Sequence, residues 1–244
     1  MNISFIIPFH NEEKNVHIML DQLIKLRKIN SWDLEIIPVN DKSTDSTEKI
    51  LNTYAKKFQF IKPIHRKKTN EISGNSMGQA LREATLMAKG DIVVWTMGDC
   101  SDDVHTYQKI IKKLESGYDL VFASRYMTGG SKGNLDNLKA FLSRWGTILA
   151  RILFGIEVND ITNAFRGFKK GVFKKANPTA SDFAISPEFA IRAKLAGFKL
   201  GEVPTIYHNR IEGVSNFKLY KMIVSYISTY GILYLDYNVF HKPL

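Results

Sequence analysis

The chain has 244 residues, 44% of them hydrophobic, and carries 34 Lys and Arg against 24 Asp and Glu, a formal net charge of +10. That length supports a sizeable core, and that composition excludes both intrinsic disorder and a polytopic membrane protein. The cationic surplus points to an anionic partner, whether nucleic acid, an anionic membrane face or a phosphorylated small molecule.

In chain order, the N-terminal "MNISFIIPFHNEE" lacks a basic leader and reaches charge quickly, so "ISFIIPF" reads as a buried first strand and not as a signal peptide. Residues 11–27 place Val16, Met19, Leu20, Leu23 and Ile24 at amphipathic-helix spacing. "LEIIPVN" is a second strand, and "STDSTEKILNTYAKKF" a helix opened by capping residues. "FIKPIHR" reads as a third strand, "GNSMGQALREATLMAKG" as a glycine-entered helix ending at Gly90, "DIVVWTM" as a fourth strand and "VHTYQKIIKKLESG" as a fourth helix. Beyond Leu120 follow a strand, "DLVFASRYMTGG", a basic helix, "LKAFLSRWGTILARILFG", a helix around "SPEFAIRAKLAG" and a late strand, "EVPTIYHNR". This alternation predicts a Rossmann-like α/β fold, a mostly parallel central sheet with helices on both faces. Trp95 and Trp145 read as core residues, and Cys100, the one cysteine, as a small buried residue in a chain suited to a reducing compartment. The segment 218–244 is apolar and aromatic but interrupted by Ser, Thr and Gly, and is short for a clean membrane span. It reads as an appendage to a domain over 1–217, either a helix lying in a membrane interface or a homodimer helix.

In such sheets ligands gather at the carboxyl ends of strands, which is where the polar clusters "HNEE", "VNDKSTD" and "GDCSDD" fall. Asp41 can accept hydrogen bonds from a base or ribose. Asp99 and Asp102 are oxygen donors suited to Mg²⁺ or Mn²⁺, ions that readily share phosphate ligands with a substrate. Arg125, Lys139, Arg144 and Arg210 are candidates for clamping phosphate oxygens. No Ser/His/Asp or Cys/His set presents itself as a nucleophile, which disfavours a covalent intermediate. Nucleic-acid binding rests on charge alone and is not expected.

Six blocks in order, "IIPFHNEEKNV", "VNDKSTDST", "GQALREA", "ASRYMTGG", "DITNAFRGFKK" and "EVPTIYHNRIEGVSNF", resemble the family 2 glycosyltransferases of the GT-A fold, most nearly the polyprenyl-phosphate sugar synthases of the dolichol-phosphate mannose synthase type. The resemblance implies that Pro8, His10, Glu12, Asn40, Asp41, Gly78 and Arg210 bind the donor nucleotide, with His10 standing for a Tyr and Asn40 for an Asp. It places Arg125, Lys139, Ser143 and Arg144 at the acceptor phosphate and Asp160 near the sugar, with Asp99, Asp160 and Arg125 as the catalytic set. Asp99 matches one acid of the family's Asp-x-Asp metal motif, but Met97 occupies the place of the other, and a thioether is a poor ligand for hard cations. Asp102 or Asp103 can restore the carboxylate if the loop folds back; Asp99 with Asp102 is the expected pair. Asn216 stands where the family has a lysine. The implied reaction is inverting transfer of a sugar from a nucleotide-diphosphate sugar to a polyprenyl phosphate, on the cytoplasmic face of a membrane. A saccharide hydroxyl as acceptor and an inactive nucleotide-sugar-binding subunit are the alternatives.

Overall fold

A computed structural model describes residues 2–67, 76–209 and 219–239. The chain begins β1 (Asn2–Phe9), α1 (Glu13–Asn30), β2 (Asp33–Asp41), α2 (Thr47–Lys57), β3 (Ile64–Arg66) and α3 (Met77–Met87). It continues β4 (Ile92–Trp95), α4 (Thr106–Glu115), β5 (Leu120–Ser124), α5 (Asn137–Phe154), β6 (Arg166–Lys169), α6 (Lys170–Ala176), α7 (Ile185–Leu195), β7 (Leu200–Pro204) and α8 (Leu219–Tyr234), which runs into a π-helical turn, Leu235–Val239.

The strands form one seven-stranded sheet in the order β3-β2-β1-β4-β6-β5-β7. All neighbours pair in parallel except β6, which is antiparallel to both β4 and β5. The mostly parallel sheet expected from the sequence is thus present, with one reversed strand at its centre. β1 is buried on both faces and reads as a continuous apolar run for that reason. Ile3, Phe5, Ile7 and Phe9 pack with α1, α2 and α4, whereas Ile6 joins the core on the other face, formed with α3, α5, α6 and α7.

The reversed strand carries no run of apolar residues, because it contains Arg166 and Gly167. A Cβ at Gly167 would stand 2.4 Å from a methyl carbon of Ile110, so only glycine lets α4 cross the sheet here. Helix α3 stops at Met87, short of the expected Gly90. The amides of Lys89 and Gly90 leave the helix to donate to Glu35 and to the hydroxyl of Ser4, pinning the turn into β4. Trp95 lies fully buried among Phe168, Phe173 and Phe189. Trp145, by contrast, is 52% exposed on α5, contrary to its expected place in the core. Helix α8 packs against α5 and α7, with Tyr230 and Leu233 buried. Among the described residues no helix is long and apolar enough to cross a membrane.

Candidate active site

Two strand-end loops brace one another where β1 and β2 end. The Asn11 side chain accepts from the amide of Thr44 at 2.7 Å, Glu13 accepts from Ser46 N–H at 2.9 Å, and Asp45 accepts from Glu13 N–H at 3.0 Å. Asp45 also caps Thr47, and these donors hold its carboxyl below the ordinary range although burial pushes the other way. His10 donates through Nδ1 to the Asp41 carbonyl at 2.6 Å. Beside it, Glu12 accepts from Asn15 at 2.5 Å and its amide donates to Thr47. Asn40 donates to Glu48 and accepts from the amide of Ser43. Pro8 is part of the buried run of β1, in register with Val39.

The Asp41 carboxylate is buried at the end of β2. It accepts from the Ser76 hydroxyl at 2.7 and 2.8 Å and from Arg66 at 2.5 Å. The Arg66 guanidinium also donates to Gln79 at 2.7 Å and to Glu83 at 2.8 Å. A cleft of about 480 Å³ opens next to this cluster, lined by Lys42, His65, Arg66, Gln79, Arg82 and Thr179. Arg66 was not among the residues singled out from the sequence. The signal was its register, since it pairs directly with Asp41 across β2 and β3. Gly78 sits in the same turn of α3, but with the backbone of residues 180–182 pressed against it. A Cβ there would meet the Ala180 carbonyl at 2.5 Å. Its smallness is explained by that packing, and it is Ser76 and Gln79 that reach Asp41 and Arg66.

The acid loop after β4 folds back on itself. One carboxylate oxygen of Asp102 accepts from the Met97 amide at 2.9 Å and from the Thr96 hydroxyl at 2.8 Å. Asp102 therefore lies against the backbone of Met97, whose own half-buried side chain packs against the edge of the core. Asp99 is buried and accepts from Ser101 N–H at 3.1 Å. Asp103 turns the other way and caps α4 through His105 N–H and the Thr106 hydroxyl. Burial, reinforced by the charge of Asp99, pushes the Asp102 carboxyl up to about 7 against the hydrogen bonds from Met97 and Thr96. A carboxylate raised in this way by burial and a neighbouring acid is a hard oxygen donor whose charge a divalent cation would relieve. No cluster of three or more His, Cys, Asp or Glu converges among the described residues. Asp99 and Asp102 are carboxylate donors of the kind that a divalent cation shares with phosphate oxygens and water. Cys100, between the acids, is buried and held at φ 59°, and burial together with Asp99 pushes its thiol up to about 12, which keeps it inert.

The third cluster lies between β5 and α5. Arg125 donates from Nε to Asp160 at 2.7 Å and from its terminal nitrogen at 3.0 Å, while its amide donates to the same carboxylate at 3.1 Å. The guanidinium also donates to Ser143 at 3.0 Å and lies 5.2 Å from the centre of the Tyr126 ring. Arg144 lies 5.4 Å from that ring, so Tyr126 gathers two cations. Burial alone would lower the affinity of Arg125 for its proton, but Asp160 more than restores it, leaving the pKa above its ordinary value. Lys139 lies in the first turn of α5, its amide capped by Asp136 at 3.0 Å, one turn before Ser143. Thr205 N–H donates to the carbonyl of Ser124, next to Arg125, and His208 N–H donates to that of Ser101, so one short segment ties the cation cluster to the acid loop. Segment 205–208 joins the two: Asp102 bridges to Tyr207, and Ser131 to Ile206. Arg210 and Asn216, which follow, lie outside the described residues.

The sheet order and the acid loop beside β4 define a GT-A type of α/β glycosyltransferase fold. Glucosyl-3-phosphoglycerate synthase of Mycobacterium tuberculosis shares it: its structure with Mn²⁺, UDP and product superposes with a TM-score of 0.65 at 18% identity, covering 96% of this chain and 79% of the synthase. Another structure of the same synthase gives 0.68 at 19% identity, covering 94% and 81%. The family model for glycosyl transferase family 2 matches residues 4–176, and the chain belongs to that family. A dolichol-phosphate mannosyltransferase of Pyrococcus furiosus is 27% identical over 221 residues, 89% of this chain and 60% of the relative. A dolichyl-phosphate beta-glucosyltransferase of Trichomonas vaginalis is 28% identical over 234 residues, 91% of this chain and 69% of the relative. The chain thus spans about three-fifths of the archaeal relative's length.

Proposed function

We propose that the chain transfers a sugar from a nucleotide-diphosphate donor to a polyprenyl phosphate, with inversion at the anomeric carbon, at the cytoplasmic surface of a membrane. The observation that carries this reading is the paired-arginine cluster of Arg125, Arg144, Tyr126 and Ser143, separate from Asp41 and tied to the acid loop through residues 205–208. Asp41, positioned by Arg66 and Ser76, takes the nucleoside, and His10 and Glu12 shape the loop that covers it. Asp99 and Asp102 would hold Mg²⁺ or Mn²⁺, which when bound neutralises charge on the departing diphosphate. The solved relatives with UDP and Mn²⁺ or Mg²⁺ support that choice, and the names of the curated relatives support a lipid-phosphate acceptor.

A phosphate acceptor is ionised at neutral pH and needs no strong base. The chain's work is then positioning and charge neutralisation. A saccharide hydroxyl would need a base, and Asp160, the candidate for it, is fully buried and spent on Arg125, Thr162 and Asn163 N–H. The geometry supports Asp160 as the residue that positions Arg125. The test is nucleotide release from a panel of nucleotide sugars with a short-chain polyprenyl phosphate, with and without Mn²⁺. Release that requires the lipid phosphate and is lost in Asp99→Ala and Asp102→Ala supports the reading. Binding of nucleotide sugar with no turnover on any acceptor would replace it with the inactive-subunit alternative.

A further inference from the structure

Ser76 is the N-cap of α3, the place where a serine hydroxyl ordinarily accepts from the amide two or three residues on. Here it makes no such bond, because its hydroxyl donates to Asp41 instead. The amide it would have taken, that of Gln79, donates across to the carbonyl of Ser181 at 3.2 Å. Residues 180–182 come that close because Gly78 has no Cβ: one built there would stand 2.5 Å from the Ala180 carbonyl oxygen and 2.6 Å from that of Asp182. The loop after α6 thus caps α3 and leaves the Ser76 hydroxyl to the Asp41 carboxylate.

That loop has little of its own to hold it. Thr179 and Ser181 are exposed, and conformational entropy opposes the ordering of such a segment. What holds it is Glu188, 3% exposed in the first turn of α7. Its oxygens accept from Thr179 N–H at 2.9 and 3.0 Å, from the Thr179 hydroxyl at 3.0 Å and from Ala180 N–H at 2.7 Å. Arg192, one turn further along α7, neutralises it at 2.8 Å. A carboxylate taken out of water is costly unless its lone pairs are filled, and here the amides that fill them belong to an exposed loop. Thr179 also lines the cleft beside Arg66 and Gln79.

We infer that Glu188 is a positioning residue for the nucleotide donor: it fixes loop 179–182 against α3, so that Ser76 and Gln79 are kept for Asp41 and Arg66. The contacts run from the Glu188 carboxylate through Thr179 and Ala180 to the Ser181 carbonyl and on to Gln79. The Gln79 side chain accepts from Arg66 at 2.7 Å, and Arg66 in turn pairs with Asp41. With the loop released, Gln79 N–H would return to the Ser76 hydroxyl, which would then turn from Asp41. The inference rests on the reading that Asp41 takes the nucleoside, and it gives that site a support from α7.

The test has two arms. In the first, hydrogen exchange is followed on the wild-type chain with and without Mn²⁺ and UDP or GDP. Nucleotide binding and loop order are coupled reciprocally, so nucleotide should slow exchange of the Thr179 and Ala180 amides about tenfold. In the second, calorimetry with the same nucleotides compares variants. Glu188→Gln keeps the shape but turns an NH₂ group towards the loop amides, and should weaken binding about tenfold with KM for the lipid phosphate unchanged. Gln79→Ala should weaken it to a similar degree and the double variant no further, as holds where one residue acts through the other. Arg192→Met strips the carboxylate of its cation but leaves its bonds to the loop. It should lower the melting temperature and leave nucleotide affinity alone. Exchange at residues 179–180 that is indifferent to nucleotide overturns the inference, as does wild-type affinity in Glu188→Gln or an additive double variant. Equal losses of affinity in Glu188→Gln and Arg192→Met also overturn it and leave Glu188 a residue of the fold alone. Asp41→Ala is the reference. Undiminished binding there, or none in the wild type, removes the nucleoside reading and the inference with it, whereas binding lost in Asp41→Ala but kept in Glu188→Gln removes only the inference.

Discussion

Arg125 and Asp160 meet in a two-pronged ion pair, 2.7 and 3.0 Å, with the carboxylate wholly removed from solvent. Asp160 sits in the turn that follows α5, and Arg125 at the end of β5, so the pair ties the loop after the strand to the far side of α5. Asp160→Asn leaves a buried guanidinium without its counter-charge. Breaking such a pair costs about 3 kcal/mol or more, most of it the uncompensated charge. Chemical denaturation should show that loss, and the double variant Arg125→Met/Asp160→Leu should recover part of it while abolishing transfer. A single Asp160→Asn variant as stable as the wild type would show that the pair contributes nothing to the fold.

Asp102 gives a pH dependence of definite sign. Its folded-state pKa is raised to about 7 from an ordinary value of 3.8, so the folded chain holds a proton that the unfolded chain has lost between those limits. The stability of the metal-free protein therefore falls as pH rises through that window and levels off above it. Asp102→Asn removes the titration. Without metal, the variant should melt higher than the wild type at about pH 8 and near it at about pH 4. Mn²⁺ should raise the melting temperature of the wild type at the higher pH and have little effect on the variant. Parallel pH profiles for the two proteins would remove Asp102 from the account.

Much of this site was legible before the fold was known. The clusters around His10, Asp41 and Asp99 stand at strand ends because apolar runs of strand length precede them, and the structure puts them at neighbouring strands β1, β2 and β4. The backward turn of the acid loop has no linear signature, because it depends on Asp102 finding the Met97 amide. Arg66 was passed over because its role comes from parallel register with Asp41. Strand β6 was missed because its buried positions are occupied by Arg166 and Gly167 instead of an alternating apolar set. Trp145 was misplaced in the core because large aromatic residues usually are buried; here the burial side of α5 is taken by Ala140, Ser143, Thr147 and Ala150.

Gly98 sets the spacing between the first and fourth strand ends. A Cβ there would lie 2.4 Å from the Phe9 ring and 2.8 Å from the Pro8 carbonyl. Phe9 is buried and cannot swing aside, so Gly98→Ala must push the loop bearing His10 away from the one bearing Asp99. Overpacking of this kind costs about 1–3 kcal/mol. A displacement of a fraction of an ångström at the donor loops should also weaken nucleotide binding about tenfold, as read by calorimetry with UDP or GDP and Mn²⁺. Gly171→Ala is the control. It lies in helix α6 with nothing near its Cβ, and should be neutral or stabilising by up to about 1 kcal/mol. Equal nucleotide affinity in Gly98→Ala and the control would show that the loops tolerate the wider spacing.

Arg166 is a cation fully buried at the start of β6, its guanidinium directed at backbone carbonyls. It donates to the carbonyls of Ser186 at 2.7 Å, Ile161 at 3.0 Å, Ala164 at 3.3 Å and Asn163, and lies between the rings of Trp95 and Phe122. Burial pushes its guanidinium down to about 9, so it keeps its charge at neutral pH. Its fork satisfies four carbonyls that no single amine can reach, and through residues 161–164 it fixes the loop that carries Asp160. Arg166→Lys offers fewer donors, and a buried ammonium loses its proton far more readily than a guanidinium. Arg166→Met keeps the bulk but strands the carbonyls. Both should lose about 3 kcal/mol or more, which for a chain of this size is a fall in melting temperature of roughly 6–12 °C. Because Asp160 is held by the same loop, the surviving folded protein should show a raised KM for the lipid-phosphate acceptor with nucleotide affinity unchanged. Variants that melt with the wild type would mean that these carbonyls find other donors and that the loop does not depend on Arg166.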